Sequence, residues 1–217
     1  ATNTVSATVS TGNFPRAVAV NPVTNKIYVL NRGSNTVTVI DGSSNKPVNV
    51  AAGTGPVLAA VNPVTNKIYV VNQGSNNVTV VDGVTNGTAT VAVGAGPVSA
   101  TINPVTNKIY VTNQNSKSVT VIEGVTNSTT TVAADSMPSG AAHNPVTNKI
   151  YVANYGSNTV TVINGVTNST TTVAVGTNPW GVAVNPVTNK IYVANQGSAN
   201  VTVIDGATNA TTTVATG

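Results

Sequence analysis

The sequence predicts an all-β protein built from repeated four-stranded antiparallel sheets. The nine residues Asn-Pro-Val-Thr-Asn-Lys-Ile-Tyr-Val occur five times at a constant spacing of 41 residues, with copies that begin at Asn21, Asn62, Asn103, Asn144 and Asn185. Each period holds four short apolar runs, and no helical pattern interrupts them. A period of about 40–45 residues with four strands per unit is typical of a β-propeller blade. We therefore predict a β-propeller; a β-solenoid is the alternative, but its rungs are usually shorter.

The second repeat shows the elements of a unit in order. Its predicted strands are Val57–Val61, Lys67–Asn72, Asn77–Val81 and Thr88–Val93. Asn62-Pro63 ends the first strand, because Pro fixes φ and Asn tolerates a left-handed backbone. Gln73-Gly74-Ser75-Asn76 supplies Gly and Asn for a tight hairpin, and Asp82-Gly83 opens the last turn. Each sheet contains few bulky side chains, so neighbouring copies must stack to form a core.

The sequence contains one more copy of the fourth strand than of the other three strands. We assign a single propeller domain, residues 1–217, with repeats 13–53, 54–94, 95–135, 136–176 and 177–217. Residues 1–12 match the fourth strand of a repeat, so the prediction is five repeats plus one extra N-terminal outer strand. The chain could be a segment of a longer array, the strand could complete a blade in another molecule, or one terminal strand could stay unpaired. We hypothesise that the surplus strand supports self-association by β-strand addition.

Composition excludes several functions. Charged residues make up only 6%, and the net charge of +4 is spread thinly, since five of the nine basic residues are the repeated lysines. This differs from the clustered basic surface of a nucleic-acid-binding protein. The chain lacks cysteine, which removes thiolate chemistry. No apolar run approaches the roughly 20 residues needed to span a bilayer, so no membrane insertion is expected.

The repeat also resembles a known family. Tyr110-Val111-Thr112-Asn113 spells YVTN, and the other copies read Tyr-Val-Leu-Asn, Tyr-Val-Val-Asn and, twice, Tyr-Val-Ala-Asn. With Asn-Pro upstream and Val-Thr-Val-Ile-Asp-Gly downstream, the chain resembles YVTN β-propeller repeat proteins along essentially its whole length. The resemblance implies an extracellular, cell-surface or surface-layer setting and a structural or binding role. Together with the hypothesis of strand exchange, it leads us to expect a non-enzymatic scaffold, a filament component or a binding module. It implies no defined reaction and no cofactor.

Candidate binding residues lie where the repeats differ most. Alternate loops of a blade share a face, so the joints between blades lie beside the hairpin that follows each second strand. The variable residues there include Phe14, Arg16, Arg32, Tyr155 and Trp180. Aromatic and Arg side chains are typical interface anchors, and an exposed Trp suits a sugar ring, so we expect a surface glycan or a protein as partner. The alternative is unrestrained variation, with Trp180 and Phe14 filling gaps between blades.

The opposite face is uniform and carries two further patterns. Acidic or amide residues recur before a Gly, at Asp41, Asp82, Glu123, Asn164 and Asp205, a mixture that favours turn capping over cation binding. Asn-x-Ser/Thr acceptor patterns make glycosylation candidates of Asn77, Asn86, Asn127, Asn168, Asn200 and Asn209. A chain rich in Asn and Thr also produces such triplets by chance.

No catalytic constellation stands out. His143 is the only histidine and replaces an apolar residue of a first strand, which favours a tolerated substitution. Glu123 is the only glutamate, so no Glu pair exists for glycoside chemistry. Asp135 lies near His143 in sequence, but nothing in the sequence pairs them. We predict no catalytic residues, no metal site and no enzyme activity. The alternative is a propeller enzyme resembling streptogramin-type lyases, with its site on the variable loop face.

Overall fold

The computed structural model describes residues 4–216, which form five antiparallel sheets of four strands each. We call each sheet a blade. The first blade contains β1 (Pro15–Asn21), β2 (Lys26–Asn31), β3 (Thr36–Asp41) and β4 (Pro47–Ala51). The second contains β5 (Pro56–Asn62), β6 (Lys67–Asn72), β7 (Asn77–Asp82) and β8 (Thr88–Ala92). The third contains β9 (Pro97–Asn103), β10 (Lys108–Asn113), β11 (Ser118–Glu123) and β12 (Thr129–Ala133). The fourth contains β13 (Pro138–Asn144), β14 (Lys149–Asn154), β15 (Thr159–Asn164) and β16 (Thr170–Ala174). The fifth contains β17 (Pro179–Asn185), β18 (Lys190–Asn195), β19 (Asn200–Asp205) and β20 (Thr211–Ala215).

The prediction of five four-stranded blades is confirmed, and every blade has its strands in sequence order. Val91 ends one compact unit of the chain and Ala92 begins a second, and we describe each by itself. In residues 4–216, no helix is long and apolar enough to cross a membrane.

The N-terminal segment differs from the prediction. Residues 4–12 form no strand and are mostly exposed, while residues 1–3 lie outside the described part of the chain. Strand pairing requires a neighbouring edge with free backbone groups. In the fifth blade, β20 pairs with β19 and occupies the outer position that an extra fourth strand would need. Strand formation by residues 1–12 in another molecule therefore stays a prediction.

Asparagine shapes the turns, as the sequence predicts. The second Asn of each Asn-Pro-Val-Thr-Asn turn has a left-handed backbone, with φ between 50° and 53° at Asn25, Asn66, Asn107, Asn148 and Asn189. The first Asn caps the same turn, because its side-chain oxygen accepts a hydrogen bond from the backbone N–H two residues on, as from Val23 N–H to Asn21 Oδ1 at 3.0 Å. Asn adopts this conformation with less strain than other side chains, which explains its repetition.

A second set of Asn side chains cross-links the strands inside each blade. The Asn that ends each second strand donates from Nδ2 to the Thr Oγ1 seven residues later, at 2.8–2.9 Å. The pairs are Asn31–Thr38, Asn72–Thr79, Asn113–Thr120, Asn154–Thr161 and Asn195–Thr202. Buried polar groups without partners are costly, and these bonds satisfy the Nδ2 group of each amide, whereas its Oδ1 is buried without a partner. The last position of the Tyr-Val-x-Asn motif therefore has a structural role.

Blade stacking forms the core, and a tyrosine lies at the centre of each stack described. In the first unit, Tyr28 packs against Ile68, Val70 and Val81 of the following blade. In the second unit, Tyr110 packs against the fourth blade and Tyr151 against the fifth, in each case on the equivalent three aliphatic residues. All three tyrosines are fully buried. Burial raises the pKa of Tyr110 to about 12, so its hydroxyl stays protonated and donates to the Gly165 carbonyl at 3.3 Å.

We expect the Tyr110→Ala variant to lose about 3–5 kcal/mol of unfolding free energy, because it empties a fully buried site in a stack. Tyr192→Ala is the matched control, since Tyr192 holds the same repeat position in the fifth blade but is 38% exposed. Urea denaturation at low protein concentration measures both. Equal losses in the two variants would contradict the stacking role of the tyrosine.

Candidate functional site

The variable loops do share one face with the joints between blades, as predicted. Backbone hydrogen bonds tie each joint to the hairpin after the second strand, as from Arg32 N to the Phe14 carbonyl at 2.9 Å. The turns after the first and third strands are tied on the other face, as from Gly83 N to the Asn66 carbonyl at 2.9 Å. We call the first of these the joint face. The residues that differ between repeats therefore lie on a rigid backbone.

A β-bulge positions the variable residue of each joint. The register between the first and second strands shifts between Pro15 and Ala17 in the first blade and between Pro179 and Gly181 in the fifth. Arg16 and Trp180 are the residues passed over by these shifts. A bulge leaves one residue outside the regular ladder and redirects its side chain. This explains how one strand can build the core and still present a variable side chain at the joint face.

In the second unit, Trp180 and Tyr155 form an aromatic pair. Their ring centroids are 5.8 Å apart and the rings are perpendicular, an edge-to-face arrangement that stabilises aromatic pairs. The Asn178 side chain fixes the hairpin of Tyr155 by donating to the Tyr155 carbonyl at 3.1 Å. Trp180 remains 51% exposed, so its ring is braced but accessible. We call Trp180 and Tyr155 the aromatic patch.

An open pocket of about 630 Å³ lies beside the aromatic patch on the fifth blade. Its apolar wall includes Gly181, Ala194 and Val201, and its polar wall includes the side chains of Gln196 and Asn200. No charged side chain lines it. An aromatic surface beside neutral amides suits a ligand with an apolar face and many hydroxyl groups.

The other three predicted binding residues meet in the first unit. Phe14, Arg16 and Arg32 line a second open pocket of about 620 Å³, together with Pro15 and Gly33. Phe14 is 81% exposed. Two guanidinium groups beside an aromatic ring suit a ligand that carries an anionic group. The five predicted binding residues thus form two clusters of different chemistry, one in each unit.

The acidic turn residues act as caps. The Asp82 carboxylate accepts hydrogen bonds from the backbone N–H groups of Val84 and Thr85 at 2.9 and 2.8 Å. Asn164 makes the same two bonds in the fourth repeat, so the position requires an oxygen acceptor and no charge. Hydrogen bonds from turn residues hold the pKa of Asp41, Asp82 and Asp205 below the ordinary value of 3.8. Within residues 4–216, no three His, Asp or Glu side chains group as a metal site would need.

His143 and Asp135 take part in separate interactions. The Asp135 carboxylate accepts a hydrogen bond from the Thr159 hydroxyl at 2.7 Å. His143 lies in β13 and pairs with Ile150 of the next strand. Burial lowers the pKa of His143, although an interaction with the Asn148 side chain opposes this shift. The imidazole is therefore neutral at pH 7 and belongs to the sheet.

The glycosylation candidates have structural roles in the turns and hairpins. Asn86, Asn127, Asn168 and Asn209 all have φ near 60°, and each is half-buried. The side-chain oxygen of Asn86 accepts a hydrogen bond from the Lys26 ammonium at 3.0 Å. Asn77 and Asn200 each accept two side-chain hydrogen bonds within their hairpins. The conformation of the repeated turn thus gives a physical reason for the recurring Asn of the Asn-x-Ser/Thr pattern. Glycan attachment to these residues stays a prediction.

One surface was missed by the sequence analysis. Tyr192 and Ala194 of β18 are exposed, although the equivalent residues Tyr151 and Ala153 of the fourth blade are fully buried. The five copies have nearly identical sequences here, so local pattern could not separate them.

Comparison with known proteins supports the fold. No protein-family model matches the chain, and no curated protein matches it. Among solved structures, it is similar to virginiamycin B lyase from Staphylococcus aureus, with a TM-score of 0.80, 12% identity, and coverage of 94% of this chain and 70% of the lyase. Dihydro-heme d1 dehydrogenase NirN gives a TM-score of 0.77 and 16% identity, over 93% of this chain and 46% of that one. A chain of a nidogen/laminin complex gives a TM-score of 0.68 and 14% identity, over 92% of this chain and 79% of that one. At these identities the likeness shows the β-propeller fold alone, which enzymes and binding proteins share.

The turn caps predict a specific response to acid. Because the three Asp pKa values are depressed, the carboxylates stabilise the fold above about pH 4, and this contribution is lost as the pH falls below that value. We expect the triple variant Asp41→Asn, Asp82→Asn, Asp205→Asn to match the wild type in urea midpoint at pH 7, since Asn164 already caps its turn. Between about pH 4 and pH 2, its midpoint should fall less than that of the wild type. Equal falls would show that the caps do not carry the acid response.

Proposed function

We propose that this chain is a non-enzymatic binding module whose aromatic patch binds a neutral glycan. The observation that carries the proposal is the exposed Trp180 ring, braced by Tyr155 beside a pocket without charged side chains. The face of a pyranose ring presents C–H groups that pack on an aromatic ring, while its hydroxyls hydrogen-bond to amides such as Gln196 and Asn200. Rigid joints with variable side chains are a common arrangement for recognition.

The titratable residues support a binding role over the lyase-type alternative. General acid–base chemistry needs an acid or base in a cleft within reach of the substrate. The one histidine belongs to a strand, and the described carboxylates of Asp41, Asp82 and Asp205 are held by turn hydrogen bonds. The pocket beside Trp180 is lined by none of these residues. The likeness to virginiamycin B lyase is one of fold and favours neither function.

We also propose that the module is displayed at the cell surface and belongs with the YVTN repeat proteins. The Tyr-Val-x-Asn motif in five copies supports this, as does a surface that relies on Asn, Thr and Ser, with only 6% charged residues. Immunolabelling of intact cells of the source organism, before and after permeabilisation, tests the location. Labelling only after permeabilisation would contradict it.

Trp180 is the only tryptophan, so its fluorescence reports directly on the proposed site. We expect neutral hexose or N-acetylhexosamine oligosaccharides to change the emission of the wild-type protein in a saturable titration. Tyr155→Ala should weaken the binding of the same sugar about tenfold, because Trp180 loses its brace.

Phe14→Ala is the matched control, since Phe14 is an exposed aromatic residue of the joint in the other unit. Its affinity for the neutral sugar should equal that of the wild type. Isothermal titration calorimetry with Trp180→Ala checks that binding is lost along with the fluorophore. Full affinity in Trp180→Ala, or no response to any neutral glycan, would refute the site.

Self-association through the terminal segment is a separate proposal. The supporting observation is that residues 4–12 remain exposed outside any strand, although their sequence matches a fourth strand. Deleting residues 1–12 should reduce particle size in light scattering if this segment adds to another molecule. An unchanged particle would contradict strand addition.

A further inference from the structure

The stacked blades repeat one asymmetric interface. One blade contributes a tyrosine side, such as Tyr151 with Val160 and Val162. The following blade contributes an aliphatic side, such as Ile191 and Val193. First-strand residues of the following blade extend the aliphatic side, namely Val182 and Val184 in the fifth blade and Ala59 and Val61 in the second. The two sides differ in composition, so a blade stacks head to tail.

The tyrosine side of the fifth blade is uncovered. Burial along β18 alternates, with Ile191, Val193 and Asn195 buried and the intervening residues Lys190, Tyr192 and Ala194 exposed. In β14, by contrast, every residue after Lys149 is buried. A shallow apolar groove of about 320 Å³ runs over this surface between Tyr192 and Val201. We call this surface the tyrosine end.

The aliphatic side of the first blade is uncovered along its first strand. Val18 is 64% exposed and Val20 is 57% exposed. Their repeat equivalents in the fifth blade, Val182 and Val184, pack into the stack around Tyr151. We call this surface the aliphatic end. The fifth blade thus carries an uncovered tyrosine side, and the first blade carries an aliphatic side that is uncovered along β1, while Val29 and Ile40 of that side are buried.

Polar contacts that accompany each stack have the same pattern. The Asn that ends a first strand donates from Nδ2 to the left-handed Asn of the next blade, as from Asn144 to Asn189 at 2.7 Å. The repeated Lys also reaches the next blade, as from Lys26 Nζ to the Gly83 carbonyl at 2.8 Å. In the fifth blade the equivalent Asn185 is only half-buried and Lys190 is exposed.

We propose that the tyrosine end binds the aliphatic end of a second copy of this chain. The repeat equivalents define the contacts in advance. Tyr192 packs against the exposed Val18 and Val20 of the second copy, as Tyr151 does against the equivalent Val182 and Val184. Asn185 donates to Asn25, and Lys190 reaches the Gly42 carbonyl. Both ends are apolar and carry little charge, so charge does not select the partner. A second copy is selected because its residues align with the repeat equivalents of the stacks inside the chain. Such a heterologous interface leaves one free end at each side of the pair and allows further copies to add.

This inference goes beyond glycan binding and rests on Tyr192 and Val18, although Gly181, Ala194 and Val201 line both the sugar pocket and the tyrosine end. Sedimentation velocity over about a hundredfold range of protein concentration tests it. The wild type should increase in mass beyond a dimer as concentration rises. Tyr192→Glu and Val18→Glu should each weaken association at least tenfold, because a carboxylate would be buried in an apolar stack. Both residues are exposed in the single chain, so the fold should survive, which circular dichroism checks.

Mixing the two variants gives the decisive measurement. Val18→Glu keeps an intact tyrosine end and Tyr192→Glu keeps an intact aliphatic end, so the mixture should form a dimer that grows no further. Val187→Glu is the control, because Val187 is 92% exposed in a turn of the fifth blade, and it should associate like the wild type.

Three outcomes would overturn the proposal. The first is a wild type that stays monomeric throughout the concentration range. The second is a symmetric dimer that Tyr192→Glu disrupts and Val18→Glu leaves intact. The third is association that persists in both variants but disappears when residues 1–12 are deleted, because terminal strand addition would then be the cause. The sugar titration at Trp180 is made at the lowest protein concentration of the series, where the chain is monomeric and the shared wall of Gly181, Ala194 and Val201 is uncovered, so the two proposals fail or succeed separately.

Discussion

The blades of this protein cannot bury their own faces, and the rest of the structure follows from that constraint. A four-stranded sheet built mainly from Val, Ile, Thr and Ala contains too few bulky side chains to form a core alone. The stacks are therefore completed by the neighbouring copy, with a tyrosine such as Tyr28 or Tyr151 against three aliphatic residues. The buried Asn–Thr hydrogen bonds inside each blade pair the amide Nδ2 of these side chains, although Oδ1 of Asn72 and Asn154 is buried without a partner. Stability is thus a property of adjacent pairs of blades.

The two faces of the blades serve different purposes. The face opposite the joint face carries the turns after the first and third strands. Left-handed Asn residues and caps such as Asp82 fix the backbone there, so the sequence of these turns varies little. On the joint face, backbone hydrogen bonds already hold the hairpin to the joint, and a β-bulge releases one side chain from the ladder. Ser139 at one such bulge is buried and donates to the Ala153 and Trp180 carbonyls, whereas exposed positions of the joint face, such as that of Arg16, can change side chain at little cost to the fold. This is where Trp180, Tyr155, Phe14, Arg16 and Arg32 lie.

Our two proposals use adjoining surfaces of the fifth blade, since Gly181, Ala194 and Val201 line both the sugar pocket and the tyrosine end. Glycan binding depends on an aromatic ring that the bulge presents beside neutral amides. Association of copies depends on the stacking surface that the repeat leaves uncovered on its terminal blades. A second copy on the tyrosine end would cover those three residues, so association and sugar binding would compete at the fifth blade. The β-propeller fold itself favours neither role, since propellers serve enzymes and binding proteins alike.

The sequence by itself determined the period, the four strands of each blade, the turn chemistry and the division into a uniform and a variable face. These features depend on local spacing and on the backbone preferences of Asn, Gly and Pro, which act within a few residues. Tertiary structure alone decided that Tyr155 meets Trp180 and that Arg16 and Arg32 meet Phe14, because these contacts join residues far apart in the chain. It also decided that Tyr192 is exposed while Tyr151 is buried. Identical motifs differ in burial there because burial depends on what packs against the face of a sheet. The local sequence does not specify which residues pack there.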